Sequence, residues 1–261
     1  MSQSVELHVI ADPSYAKHLN DTIHFHGVDL CKPRNHPLLL INLGRLINKI
    51  QPDIVHAHAK KSGHILGLIS TFIKAKTIVT IHNLTAEKWW MRRCDKLICV
   101  SKTIQKSLHK RSTSVVYNGI KKPDLSFNFK FENQSKNIIA VGTLARRKGF
   151  NTLIEACVGL PIHLHIVGDG PELVSLQQQT KALGCSHQVH FYGQRNNAVE
   201  MIAAADFLVI SSTREGFSYV FAEALSVKTA VISTRVPVAC EVISQNILYL
   251  FLMLWLYVKI F

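Results

Sequence analysis

Two glutamates separated by seven residues, Glu215 and Glu223 in REGFSYVFAEAL (214–225), have the types and spacing to hold one ligand between them. A helix beginning near Phe217 would leave Glu215 in the loop at its mouth and put Glu223 in its second turn. Five or six residues at a rise of about 1.5 Å set the carboxylates roughly one nucleotide-sugar diphosphate apart. Each could then accept hydrogen bonds from hydroxyls at one end of such a donor. The free N–H groups and positive dipole end of the helix between them would face phosphate oxygens. The competing reading is a solvated acid and a surface residue of an amphipathic helix. The strand-like DFLVISS just before weighs against it.

Two further turns carry suitable groups. In VGTLARRKGF (141–150) a strand runs into a basic turn, where Arg146, Arg147 and Lys148 could neutralise phosphate, arginine through a fork and lysine as a point charge. A solvated basic turn is the alternative. In IVGDGPE (166–172), Gly168, Asp169 and Gly170 form a tight turn that permits close backbone approach, with Pro171 suited to the first helical position.

The elements that must position these residues read as alternating strands and helices, the pattern of parallel sheets with helical crossovers. Strands are expected at 5–11, 53–58, 77–82, 96–100 and 114–117, with helices at 38–50, 62–74 and 101–110, the last capped by Ser101. A turn-rich polar stretch follows, after which strands at 137–142, 163–168, 188–193, 206–212 and 229–234 alternate with helices at 150–159, 171–183, 197–205 and 217–226. The division is a first lobe at 1–120, a linker at 121–136, a second lobe at 137–246 and an apolar tail at 247–261. The fold class is α/β, with two Rossmann-like doubly wound lobes facing across a cleft. Ligands of such sheets bind at the carboxyl ends of the strands.

The three motifs in this order, with FYG (191–193) among them, resemble the donor lobe of the family 4 retaining glycosyltransferases, of the GT-B type, over residues 137 to 243. The resemblance implies that Glu215 contacts sugar hydroxyls, Glu223 the ribose, and Arg147 and Lys148 the diphosphate, with Arg146 beside them. It also implies that the backbone at Gly216 and Phe217 helps hold sugar and phosphate, and that the turn after Tyr192 lines the base. In the first lobe PDIVHAHAKKSG (52–63) and TIVTIHN (77–83) are similar to the family, and His82 matches its cleft histidine. The implied reaction transfers a sugar, commonly UDP-linked, with retention, to a glycan or lipid-linked acceptor in bacterial surface polysaccharide or lipopolysaccharide synthesis. No cofactor or metal is implied. His56 and His58 share a strand face, but no acidic or cysteine partner is evident nearby in the sequence.

The sequence also departs from the family. The family's first strand and Gly-rich loop have no counterpart, and beyond residue 244 the chain runs QNILYLFLMLWLYVKIF. Both lobes therefore read as incomplete, with a catalytically incompetent fragment as the alternative function. The apolar run is shorter than the ~20 residues that span a membrane.

The 261 residues carry a formal charge of +13, unevenly: residues 1–120 hold 17 Lys+Arg against 7 Asp+Glu, the rest 13 against 10. Such an excess suits an anionic membrane surface or a phosphorylated acceptor. Nucleic acid is disfavoured because Lys60-Lys61, Arg92-Arg93 and Lys110-Arg111 are not interleaved with stacking aromatics. Six scattered cysteines without C-x-x-C and a start without a secretion signal point to the cytoplasm, with peripheral binding at the inner face of its membrane.

Overall fold

A computed structural model describes residues 5–108, 112–121, 129–132 and 135–242. The expected apolar tail, Lys110-Arg111 and the linker residues 122–128 and 133–134 lie outside the described residues.

Strands β1 (His8–Ala11) and β2 (His24–Gly27) form a parallel pair with His8 opposite His24 and Ile10 opposite His26. Helix α1 (Pro37–Ile50) follows, then β3 (Ile54–His58), α2 (Ala59–Ile69), β4 (Lys76–Ile81), β5 (Lys96–Cys99), α3 (Lys102–Lys106) and β6 (Thr113–Val115). A four-stranded sheet runs in the order β3-β4-β5-β6. The chain clusters into two compact units. The first holds residues up to Thr80 with Glu87–Leu97 and Ser112; the second takes Ile81–Ala86, the stretch from Ile98 through α3, and the described residues from Thr113 on.

Within the first unit, Leu39, Leu43 and Ile47 are buried at four-residue intervals on one face of α1, whose first position is Pro37, where the missing N–H costs nothing. Gly63 and Gly67 of α2 lie against Trp90: a Cβ on either would come within 2.8 Å of that residue. Thr77, in β4, donates through its N–H and hydroxyl to Asp95 Oδ2 at 2.8 and 2.7 Å.

In the second unit, five parallel strands stand in the order β11-β10-β7-β8-β9. They are β7 (Lys136–Val141), β8 (Ile162–Val167), β9 (Val189–Phe191), β10 (Phe207–Ile210) and β11 (Ala230–Ser233). Their neighbours Ile139 and Ala140, Ile166 and Val167, and Leu208 and Val209 divide between two separate buried clusters. Both sheet faces are therefore covered, which is why β10 reads as the continuous apolar run FLVI and β7 carries IIAV. Helices α4 (Phe150–Cys157) and α5 (Leu173–Ala182) supply one cluster, α6 (Ala198–Ala204), α7 (Tyr219–Ser226) and α8 (Pro237–Val242) the other.

Ser101 caps α3 as expected, its hydroxyl accepting from Ile104 N at 3.2 Å. A second cap comes from α8. Glu241 accepts from the backbone N–H of Lys102 and Thr103 at 2.9 and 2.7 Å and from the Tyr117 hydroxyl at 2.7 Å. Burial pushes the Glu241 carboxyl up, but these donors together bring it below its ordinary range. Burial and Glu241 push the Tyr117 phenol up to about 12.

Several expected boundaries shift. The first strand starts at His8, not Val5, which is 81% exposed. Pro171 sits in the turn before α5, where the Glu172 N–H is taken by Leu144 O at 3.0 Å. Helix α7 begins at Tyr219 instead of Phe217, because Ser218 is still extended. Strand β2 and helix α8 were not expected.

Candidate functional site

Strands β8 and β10 flank β7 on opposite sides, so the crevice past the carboxyl ends of β7 and β10 is the switch point of the five-stranded sheet. The loops leaving the strands there are fixed by backbone bonds. Gly142 N donates to Val167 O and Leu144 N to Asp169 O, both at 2.9 Å. Gly168 has φ +136, and a Cβ there would lie 2.0 Å from Gly142 O, so only glycine fits. Asp169 is exposed, and its Oδ1 accepts from Gly170 N at 2.7 Å.

The basic turn is a short 3-10 segment, Arg146–Lys148, closed by Gly149 at φ +67. The loop after β10 clasps its backbone: the Ser211 hydroxyl donates to Lys148 O at 2.8 Å, and Thr213 donates through N and Oγ1 to Arg147 O at 2.8 and 3.1 Å. The turn's carbonyls are thereby occupied, and its cationic side chains are left to point elsewhere.

Lys148 Nζ donates to Glu215 Oε1 at 2.5 Å, the Ser212 hydroxyl to the same oxygen at 2.8 Å, and Arg147 Nη1 stands 3.9 Å from Oε2. Glu215 is only 8% exposed, so it is a buried, charge-balanced acceptor and not a solvated loop acid. Next to it Gly216 presses on the chain leaving β4. A Cβ at 216 would fall 1.6 Å from His82 O and 2.9 Å from Asn83 Cα. Phe217 follows, its ring 6.4 Å from Tyr117 and 5.6 Å from Tyr219.

Thus Glu215, Arg147, Lys148, Gly216 and His82 come together, while Arg146 is exposed at the turn. Glu223 belongs to a neighbouring feature. It borders a cavity of about 300 Å³ lined by Ile120, Lys121, Val199 and Tyr219 among others, and burial raises its carboxyl above the ordinary range. Tyr192 is placed by His165. Asn137 gives its amide N–H to Ser135 O, so its Oδ1 accepts from His165 Nε2 at 2.7 Å, and His165 Nδ1 accepts from the Tyr192 hydroxyl at 2.9 Å. Burial, with His190 and His163 alongside, pushes His165 down to about 4. The Arg195 guanidinium lies over the Tyr192 ring at 5.9 Å.

Sequence reasoning missed Ser212, whose signal was its place between the end of β10 and Glu215, and it missed His165, whose role depends on strand pairing. His56 hydrogen-bonds Thr80 Oγ1 at 2.7 Å, and its ring lies 4.2 Å from that of His58.

Residues 121–250 match the family described as Glycosyl transferases group 1, and residues 1–122 match Glycosyltransferase Family 4. The uncharacterized glycosyltransferase MJ1178 of Methanocaldococcus jannaschii is 26% identical over 92% of this chain and 74% of its own length. The lipopolysaccharide core biosynthesis glycosyltransferase LpsE of Rhizobium meliloti is 27% identical over 81% of this chain, and the chain spans 63% of it. Among solved structures, Anabaena Alr3699/HepE in complex with UDP superposes with a TM-score of 0.74 at 19% identity, covering 92% of this chain and 76% of that one. A glycosyltransferase from Rickettsia africae gives 0.77 at 18%, covering 92% and 73%.

Proposed function

Because this chain belongs to the family 4 glycosyltransferases of the GT-B type, we propose that it moves a sugar from a UDP-linked donor to a glycan or lipid-linked acceptor with retention of configuration. The observation that carries this is the buried Glu215 carboxylate held by Lys148 and Ser212 at the switch point of the five-stranded sheet. Such an acceptor, aimed and desolvated in advance, suits sugar hydroxyls. The adjoining cations suit a leaving diphosphate.

In this reading residues 137–246 hold the donor. Glu215 binds sugar hydroxyls, and Lys148 and Arg147, with Arg146, stabilise the charge that develops on the departing phosphate. Preorganised cations do this without moving at the moment of reaction, so the step needs no metal. Glu223 takes the ribose from its cavity, the turn at Gly168, Asp169 and Gly170 and the backbone of Gly216 and Phe217 approach the phosphates, and Tyr192 precedes the turn that lines the base. His82, whose carbonyl abuts Gly216, is a positioning residue. Residues 1–120 take the acceptor, and their excess of basic residues favours work at an anionic membrane surface on the cytoplasmic side. Support for a lipopolysaccharide or surface-polysaccharide role comes from relatives with such names, and support for uridine from the UDP complex of Alr3699/HepE. Among the described residues no helix is long and apolar enough to cross a membrane.

The test is thermal melting of the full chain with UDP, GDP, ADP and CMP, followed by UDP-sugar turnover. At about 100 times the dissociation constant a ligand of the folded state adds ~2.7 kcal/mol. A shift with UDP that Glu215→Gln and Lys148→Met weaken supports the reading. A melt indifferent to every nucleotide overturns it.

A further inference from the structure

We propose that Glu6, His8 and His24 form a binding site for a divalent first-row transition cation, zinc foremost, that staples β1 to β2. The parallel register sets His8 directly opposite His24, and Glu6, in the segment that leads into β1, reaches both imidazoles. One ligand atom from each of the three lies within 4.8 Å of the other two. Glu6 Oε1 is 3.2 Å from His8 Nε2 and 3.5 Å from His24 Nε2. Two ligand atoms each ~2.0–2.1 Å from a tetrahedral zinc are about 3.3–3.4 Å apart, so a cation fits with small side-chain movement.

The chemistry of the donors selects the ion. Two imidazoles and one carboxylate suit zinc and its neighbours, whereas calcium and magnesium demand oxygen. The outer shell is present as well. His8 turns its other nitrogen, Nδ1, to His26 Nε2 at 3.0 Å, which fixes the orientation of the ligating ring as second partners of metal-bound histidines do. Glu6 and His24 are 72% and 58% exposed on their side chains, so the site is open to solvent and a water can complete the coordination.

The location supplies a use. Among the described residues, strands β1 and β2 pair with each other and with no other strand, and an isolated two-stranded sheet is marginal in water. A cation bridging strands that start sixteen residues apart would hold them together. The site makes no use of the donor-binding groups, so it stands or falls independently of the transferase reading.

The experiment titrates the chelator-treated full chain with Co²⁺, read by visible d–d absorption, and with Zn²⁺ in competition with a chromophoric chelator. One equivalent of cation is expected, with intense tetrahedral or five-coordinate cobalt bands. Glu6→Gln and His24→Gln, made separately, should each abolish the bands. His26→Ala should weaken zinc affinity by about 10- to 100-fold. Both ligand substitutions are at exposed side chains, and equal melting of all variants in chelator checks that they fold. Zinc should also slow amide exchange at 8–11 and 24–27 in the wild type and not in the two ligand variants. Unchanged cobalt bands and zinc affinity in both ligand variants, or no binding by the wild type, would overturn the site.

Discussion

Replacing Lys148 by methionine keeps an unbranched side chain one atom shorter and removes the ammonium from Glu215. The side chains of the pair are 14% and 8% exposed, so water cannot solvate the stranded carboxylate. What remains is the Ser212 hydroxyl at 2.8 Å and Arg147 at 3.9 Å, whose side chain is 48% exposed. Removing one partner of a buried pair costs about 3–5 kcal/mol, and closure by Arg147 sets the lower end, about 3 kcal/mol. At about 2–4 °C per kcal/mol for a chain of this size, Lys148→Met should melt ~6–12 °C below the wild type. The decisive assay is a double-mutant cycle in denaturant with Glu215→Gln. The double variant should lose less than the sum of the single losses, with a coupling of about 2 kcal/mol. Additivity to within ~0.5 kcal/mol would mean that Lys148 and Glu215 do not stabilise one another, and the argument for a preorganised acceptor would fail.

Two further outcomes follow from the same geometry. His165 is depressed from 6.5 to about 4, below its unfolded value, so the unfolded chain binds the extra proton in that window and stability falls with pH by about 3 kcal/mol in all; His165→Gln should flatten the fall in melting temperature between pH 6.5 and 4, and parallel falls in both proteins would refute this. Gly216→Ala, which sets a Cβ 1.6 Å from His82 O, should cost about 3 kcal/mol and weaken nucleotide binding, while Gly44→Ala, with nothing within 4 Å in α1, should be neutral or gain up to ~1 kcal/mol; equal effects in denaturant melts would contradict the close approach.

The sheet of the second unit was readable because β7 and β10 are buried on both faces and announce themselves by the apolar runs IIAV and FLVI. Strand β2 was not. His24–Gly27 is four residues of HFHG with exposed ends, a pattern that neither alternates nor excludes water. Helix α8 is a six-residue segment after Thr234 and Arg235, too short for a helical period to show. At the site, residue types marked out Glu215, Lys148 and Gly168, since each type has a narrow set of uses. That Lys148 and Glu215, 67 residues apart, neutralise each other depends on β7 and β10 being sheet neighbours. The same holds for His8 and His24, and for His165 and Tyr192. Pairing across strands is fixed by register, and register is a property of the folded sheet.

The Glu241 cap on α3 has a consequence for timing. Helix α3 has five residues, far fewer than the ~12–15 at which isolated helices begin to persist in water. Its Lys102 N–H waits for a carboxylate 139 positions later in the chain. Closing a loop of that length costs about 4 kcal/mol of chain entropy beyond the constant term. Nothing nearby in sequence can supply this cap sooner, so α3 is completed only after α8 has been synthesised and docked. A ribosome-bound chain that has emerged as far as β10 carries the residues of α3 without its far-end lock. The cap of α3 thus joins Lys102 to a residue made more than a hundred positions afterwards.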